Sequence, residues 1–223
     1  MRRTLPWLIL LLAACARPDD PRWLLEHGNQ QQKLEFIRYR DPPVATPAQV
    51  ALFLHDDDPW VVANACNYLG QARARDYLPE LVALSASPES DVANLAGMAI
   101  AQMIGPGDTA LLPALYRNLE RKELLVRMSA IEAIGKLGDP ASVDVLLQRL
   151  PAEEPAGRAS IYVALGNIGE PRALPALRQA LVEIEAMDHG IPNRGHSRGE
   201  PWHPDLLEAM VREAIRSMDG KGK

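Results

Sequence analysis

Four stretches of this chain recur at a nearly constant interval, and that recurrence constrains the fold more than any other feature. They span residues 61–70, 92–101, 126–135 and 157–166, so their starts lie 31, 34 and 31 residues apart. Within each stretch, small or apolar residues return at helical spacing and form one face of a helix. A period of this length marks a repeat architecture. One helix pair cannot bury its apolar face alone, whereas stacked pairs share a continuous core and touch only their neighbours.

Each stretch is followed by a turn and a second helical segment. Gly138-Asp139-Pro140 and Gly169-Glu170-Pro171 are the turns of the third and fourth units. Second helices begin near Leu78, Leu112, Val143 and Leu174, three of them with Pro in the first turn, where its missing N–H costs nothing. The spacing predicts helix pairs at 57–70 and 77–86, 91–104 and 109–122, 125–136 and 141–150, and 157–167 and 172–187. Residues 47–54 match the second helix of a preceding unit. The excess of three residues in the second unit falls in the loop 104–108. Ala65, Ala96, Ala130 and Ala133 are placed to let helices approach, with Leu81, Leu115, Leu146 and Leu177 filling the layer between them. Arg127 and Arg158 follow Asp108 and Asp139 by 19 residues each, which raises the expectation of an Asp–Arg ladder between units.

These residues resemble the short bacterial HEAT-like repeat, with its Val-Arg…Ala…Ala-(Leu/Ile)-Gly…Gly-Asp pattern, over about residues 46–187. The third and fourth units carry the pattern best. The first has Val62 where Arg would stand, and the second has Ala93 there and Ala101 in place of Gly. The resemblance implies an all-α fold: an α-solenoid (superhelix) of about four to five HEAT-type helix pairs with a C-terminal capping helix. It implies a binding scaffold in preference to an enzyme, since such solenoids serve many unrelated tasks by presenting surface. The HEAT-repeat hydroxylases that bind two irons use His-Glu pairs in their helices, and no His-Glu pair occurs here. Phycobilin lyases carry the same short repeat but act on cytoplasmic proteins.

Composition agrees with helices. Apolar residues make up 47% and aromatics only 5%, so the core must be aliphatic. The formal charge of -5, with no basic run, excludes sequence-independent binding to nucleic acid. Of the two cysteines, Cys66 falls within a helical pattern and reads as a small apolar residue.

The other, Cys15, belongs to an address. Arg2 and Arg3 precede an apolar run from Leu5 to Ala14, too short for a membrane span of about 20 residues. The run ends Leu12-Ala13-Ala14-Cys15, which resembles the lipobox of bacterial lipoproteins and implies acylation of Cys15. Ala16 after the cysteine implies delivery to the periplasmic face of an outer membrane. Cleavage before Cys15 would remove Arg2 and Arg3 and take the formal charge from -5 to -7. The expected organisation is a signal peptide at 1–14, a tether and N-terminal helix at 15–45, and the repeat domain at 46–219. Residues 22–39 have helical character, ended by Asp41-Pro42-Pro43.

The period breaks after residue 187. Residues 188–204 are rich in Gly and Pro, and a helix from Asp205 to about residue 218 then closes the stack. The interrupting loop holds Trp202, of the residue type that anchors interfaces, and His189, His196 and His203 at intervals of seven. Candidate partner contacts are Trp202 and the second-helix residues Arg117, Arg121, Arg149 and Arg178. No catalytic residue, resident metal or cofactor is expected. The expected partners are an envelope protein of unspecified identity and the membrane itself through Cys15. One alternative is an immunity lipoprotein that neutralises a toxin at the periplasmic surface. Another is a metal-dependent enzyme using the histidine loop. Asp56-Asp57-Asp58 could suggest a cation site, but it precedes Pro59 and reads better as a helix N-terminus.

Overall fold

The computed structural model describes residues 20–38, 45–186 and 204–219. Among them every regular element is helical: α1 Pro21–His27, α2 Gln30–Ile37, α3 Pro47–Ala51, α4 Pro59–Gln71, α5 Leu78–Leu84, α6 Ser90–Met103, α7 Leu112–Asn118, α8 Leu124–Leu137, α9 Ser142–Arg149, α10 Pro155–Ile168, α11 Leu174–Glu185 and α12 Pro204–Asp219. The architecture is an all-α solenoid of helix pairs. First helices α4, α6, α8 and α10 alternate with shorter second helices α5, α7, α9 and α11. The predicted first helices start and end within about two residues of the observed ones. The second helices are shorter than the spacing predicts. Three of them are entered through a single 3-10 turn (Arg75–Tyr77, Thr109–Leu111 and Pro171–Ala173) that takes up the first residues of the expected helix.

The chain divides into two compact units, 1–99 and 100–223, with the division inside α6. In the first unit, the predicted preceding helix is present as α3 followed by the 3-10 turn Leu52–His55. Its Val50, Phe53 and Leu54 are buried, as are Val61, Ala65, Cys66 and Leu69 of α4. The Tyr68 hydroxyl donates to the carbonyl of Ala45. The single N-terminal helix expected over 22–39 is two helices. Asn29 starts a new one: its side chain accepts from the N–H of Gln32, whose side chain accepts in return from the N–H of Asn29. The chain leaves α1 at Gly28, whose backbone is extended.

In the second unit the repeat is most regular. Ala130, Ala133, Leu115, Leu146 and Leu177 are all buried, in the register that the period predicts. First helices of successive pairs run side by side in close contact. A Cβ on Gly135 would lie 2.7 Å from the Ala164 Cα, and one on Gly166 would lie 2.9 Å from the Ala214 Cα. Both positions therefore need glycine for packing. Gly138 and Gly169, at the ends of α8 and α10, have φ of +69° and +72°. They close the helices in the left-handed conformation that glycine adopts without strain.

The C-terminal helix α12 packs on α10 and α11. The Ser217 hydroxyl donates to the Gly166 carbonyl at 3.0 Å, Arg212 pairs with Glu185, and Arg178 lies 3.7 Å from Asp219. It stands against α10 as α10 stands against α8, with Ala214 repeating the role of Ala164.

The Asp–Arg ladder is not what holds neighbouring units together. Arg127 turns to Glu153 and to two backbone carbonyls, while Arg158 donates to the Glu153 carbonyl at 2.9 Å. Asp139 accepts from the N–H of Ala141. The reason is polarity along the helix. Asp139 follows the C-terminus of α8, whereas Arg127 and Arg158 sit in the first turns of α8 and α10, and long side chains lean towards the helix N-terminus. Asp139 and Arg158 are at opposite ends of the neighbouring helices α8 and α10.

Candidate functional site

The candidate contact residues fall into three groups. Arg117 on α7 and Arg178 on α11 are exposed. The side chain of Arg117 has no partner among the described residues, and that of Arg178 reaches only the exposed Asp219. Both are available to another molecule. Arg121 and Arg149 are half-buried and engaged. Arg121 Nε donates to Glu123 at 3.0 Å, and Arg149 donates to Glu153 at 2.8 Å and to Glu120 at 3.2 Å. Cys15 and Trp202, and with Trp202 the loop 188–203 and its three histidines, lie outside the described residues.

Arg149 belongs to a charge node that sequence reasoning missed. Its centre is Glu153, in the connection between α9 and α10, with its side chain 0% exposed. Arg127, 7% exposed, grips it with Nε 2.9 Å from Oε1 and Nη2 3.1 Å from Oε2. Arg127 Nη1 also donates to the carbonyls of Arg121 and Lys122, at 3.0 and 2.8 Å. Burial alone would raise the Glu153 pKa. The hydrogen bonds and positive charges of Arg127 and Arg149 outweigh that and hold it below its ordinary value. A Cβ at Gly157 would run into this carboxylate. The node ties the α7–α8 connection to the α9–α10 connection, so Arg149 is a fixed part of the scaffold. The only sequence signals were Gly157 and the Glu153-Glu154 pair before Pro155, and neither points to a partner 26 residues away.

Asp56 and Asp58 of the Asp56-Asp57-Asp58 run are committed within the first unit. Lys33 of α2 bonds Asp56 at 2.7 Å with that carboxylate 1% exposed. Asp58 caps α4 by accepting from the N–H of Trp60 and also accepts from Gln30. This agrees with the helix-start reading. Cys66 is buried, and burial pushes its thiol up to about 12, so no thiolate is present near neutrality. Among the described residues no group of three or more His, Cys, Asp or Glu could hold a metal. No helix among them is long and apolar enough to cross a membrane.

Among the described residues two surface concavities stand out. One, of about 400 Å³, lies between α10 and α12 and is lined by Val163, Gly166, Leu206, Met210 and Ala214. The other, of about 590 Å³, lies between α2 and α4. Five carboxamides line it: Gln30, Gln31, Asn64, Asn67 and Gln71. Residues 64, 67 and 71 share one side of α4 by their spacing.

A helical-repeat solenoid with exposed polar side chains on its second helices is a binding architecture in form. The sequence pattern of the family described as HEAT repeats matches residues 78–161 and 119–185, and this stretch forms a HEAT-like repeat domain. The chain is similar in fold to an engineered protein solved in a structural genomics programme, with a TM-score of 0.60 and 15% identity over 91% of this chain and 96% of that one. It is similar also to a designed armadillo repeat protein, with a TM-score of 0.57 and 15% identity over 90% of this chain and 99% of the other. No curated protein matches it. At this level of identity the likeness speaks for the fold alone.

Proposed function

We propose that the protein is a lipid-anchored scaffold of the bacterial envelope that captures a protein partner and catalyses no reaction. The observation that carries the reading is the repeat solenoid itself. Its helix pairs bury aliphatic side chains and leave second-helix side chains such as Arg117 and Arg178 exposed. Repeat proteins of this build use such extended surfaces for binding. The sequence Leu12-Ala13-Ala14-Cys15 supports acylation of Cys15, and Ala16 supports delivery to the periplasmic face of the outer membrane. Trp202 stands as a further contact on sequence grounds.

The reading is tested in two arms. Cys15→Ala should abolish fatty-acid labelling and release the protein to a soluble fraction. Labelling and membrane association equal to the parent's would remove the anchor from the proposal. In the second arm, cross-linking and affinity capture from envelope extract should recover a protein partner, and Arg117→Glu with Arg178→Glu should reduce its recovery. A partner recovered equally well by the double variant would move the contact surface elsewhere. Failure to recover any partner would count against the scaffold.

A further inference from the structure

The groove between α2 and α4 has a chemistry that the repeat does not require. At the register of Asn64, Asn67 and Gln71, the second unit has Leu95, Met98 and Gln102, the third Ser129, Glu132 and Lys136, and the fourth Ser160, Val163 and Asn167. Only α4 carries three carboxamides there, and only α4 faces a helix that begins with consecutive glutamines. Packing does not explain them, because Gln31 and Gln71 are exposed and Asn64 and Asn67 are half-exposed.

The internal hydrogen bonds leave complementary groups pointing outward. Asn64 Nδ2 donates to the Trp60 carbonyl at 2.7 Å, so its Oδ1 remains an acceptor. Gln71 Nε2 donates to Asn67 Oδ1 at 3.2 Å, which leaves the Asn67 amide as a donor and Gln71 Oε1 as an acceptor. The Gln31 carboxamide makes no hydrogen bond among the described residues and offers both. The stripe thus reads acceptor, donor, acceptor along α4. Trp60, 46% exposed, stands one turn before Asn64 on the same side of the helix, about 6 Å along the axis. The charged lining residues, Glu35 and Arg38, lie 3.9 Å apart and offset each other.

We propose that this groove binds a neutral saccharide unit of one or two rings. Each sugar hydroxyl is both donor and acceptor, as is each carboxamide, so a row of carboxamides pairs with adjacent hydroxyls without any ionised group. The exposed indole of Trp60, outside the lining and one turn along α4, offers a flat apolar surface at the edge of the groove for the C–H face of a sugar ring. The volume of about 590 Å³ lies in the range of small-molecule sites, about 300–1,000 Å³. A protein segment is disfavoured, because its anchors need desolvated apolar pockets. Among the lining residues Ile37 and Tyr68 are buried, leaving the half-buried Leu34 as the apolar contact within the groove. The inference stands apart from the arginine surface of α7 and α11.

The test uses the full chain. An array of neutral and N-acetylated oligosaccharides is screened, followed by calorimetric titration with cellobiose, maltose and N,N′-diacetylchitobiose as probes. The expected result is saturable binding of at least one sugar class at one site per chain. Asn67→Ala with Gln71→Ala should weaken it by about tenfold or more, as the loss of two hydrogen bonds implies, at an unchanged melting temperature. Gln31→Ala provides a second variant at an exposed position, where folding is not at stake, and should also weaken binding. Arg117→Glu should leave it intact. Absence of saturable binding to any sugar overturns the proposal, as does full affinity in both groove variants. Binding of an unstructured peptide at these carboxamides, with no sugar bound, also overturns it and assigns the groove to a protein ligand.

Discussion

Glu153 is held by two guanidinium groups with its carboxylate out of water, and such an arrangement is far harder to break than to replace. Removing one partner of a buried pair strands the other charge and costs about 3–5 kcal/mol. Glu153→Ala strands Arg127 and should lower stability by about that amount in a denaturant titration. The carboxyl pKa is depressed in the folded state, so its contribution is fully present above the ordinary value of 4.5 and is lost as pH falls through the lower folded value. The parent should therefore lose stability faster than Glu153→Gln as acid is added below about pH 4.5. Parallel pH profiles would refute the role of ionised Glu153. Ala130 tests the packing register at the same scale. It is buried on α8, so Ala130→Arg places an unpaired charge in an apolar layer and should cost several kcal/mol, a large part of a domain's stability. A variant that melts within a few degrees of the parent would count against that register. Ala130 was legible from the helical period. Glu153 was not, because an acidic pair in a connection reads as solvated and its main partner, Arg127, lies 26 residues away.

Elements show a similar division. First helices were legible to within about two residues because their small residues recur at fixed positions. The break between α1 and α2 was not, because it rests on a capping box at Asn29 and Gln32 inside a run of polar residues without hydrophobic period. The groove beside α2 escaped for the same reason: its carboxamides come from two helices, and only one of these lies in the recurring stretches. The C-terminal helix was legible as a cap. The structure adds how it docks, through Ala214 against Gly166. Gly166→Val would drive side-chain atoms into the backbone of α12. The expected cost is about 1–3 kcal/mol from overpacking, read as a lower melting temperature. Faster proteolytic cleavage after α11 should accompany it as α12 loosens. Gly105→Val serves as the control, because a Cβ there would meet nothing within 4 Å.

At the scale of the whole molecule, units that touch only their neighbours make stability a sum of local terms. The connections between pairs follow from that. Residues 119–123 join α7 to α8, and 150–154 join α9 to α10, five residues in each case, while 186–203 join α11 to α12. Yet α12 meets α10 as α10 meets α8, so the step to be bridged is of the same kind. Replacing residues 190–203 with a short Gly-Ser linker should leave the helical circular dichroism signal nearly intact. Loss of that signal would show that the segment takes part in the core. A partner that the parent captures and the shortened chain does not would place Trp202 and its neighbours at the interface.

The contact between Gly166 and Ala214 therefore sets the length of the last connection free. Loop closure grows only with the logarithm of length, and going from five to eighteen residues costs about 1 kcal/mol. Once α12 is held on α10 by a glycine facing an alanine, closure entropy sets little limit on the length of chain that joins α11 to α12. A peptide tag or small domain inserted into that connection should therefore fold alongside the solenoid, with the melting temperature of the parent retained.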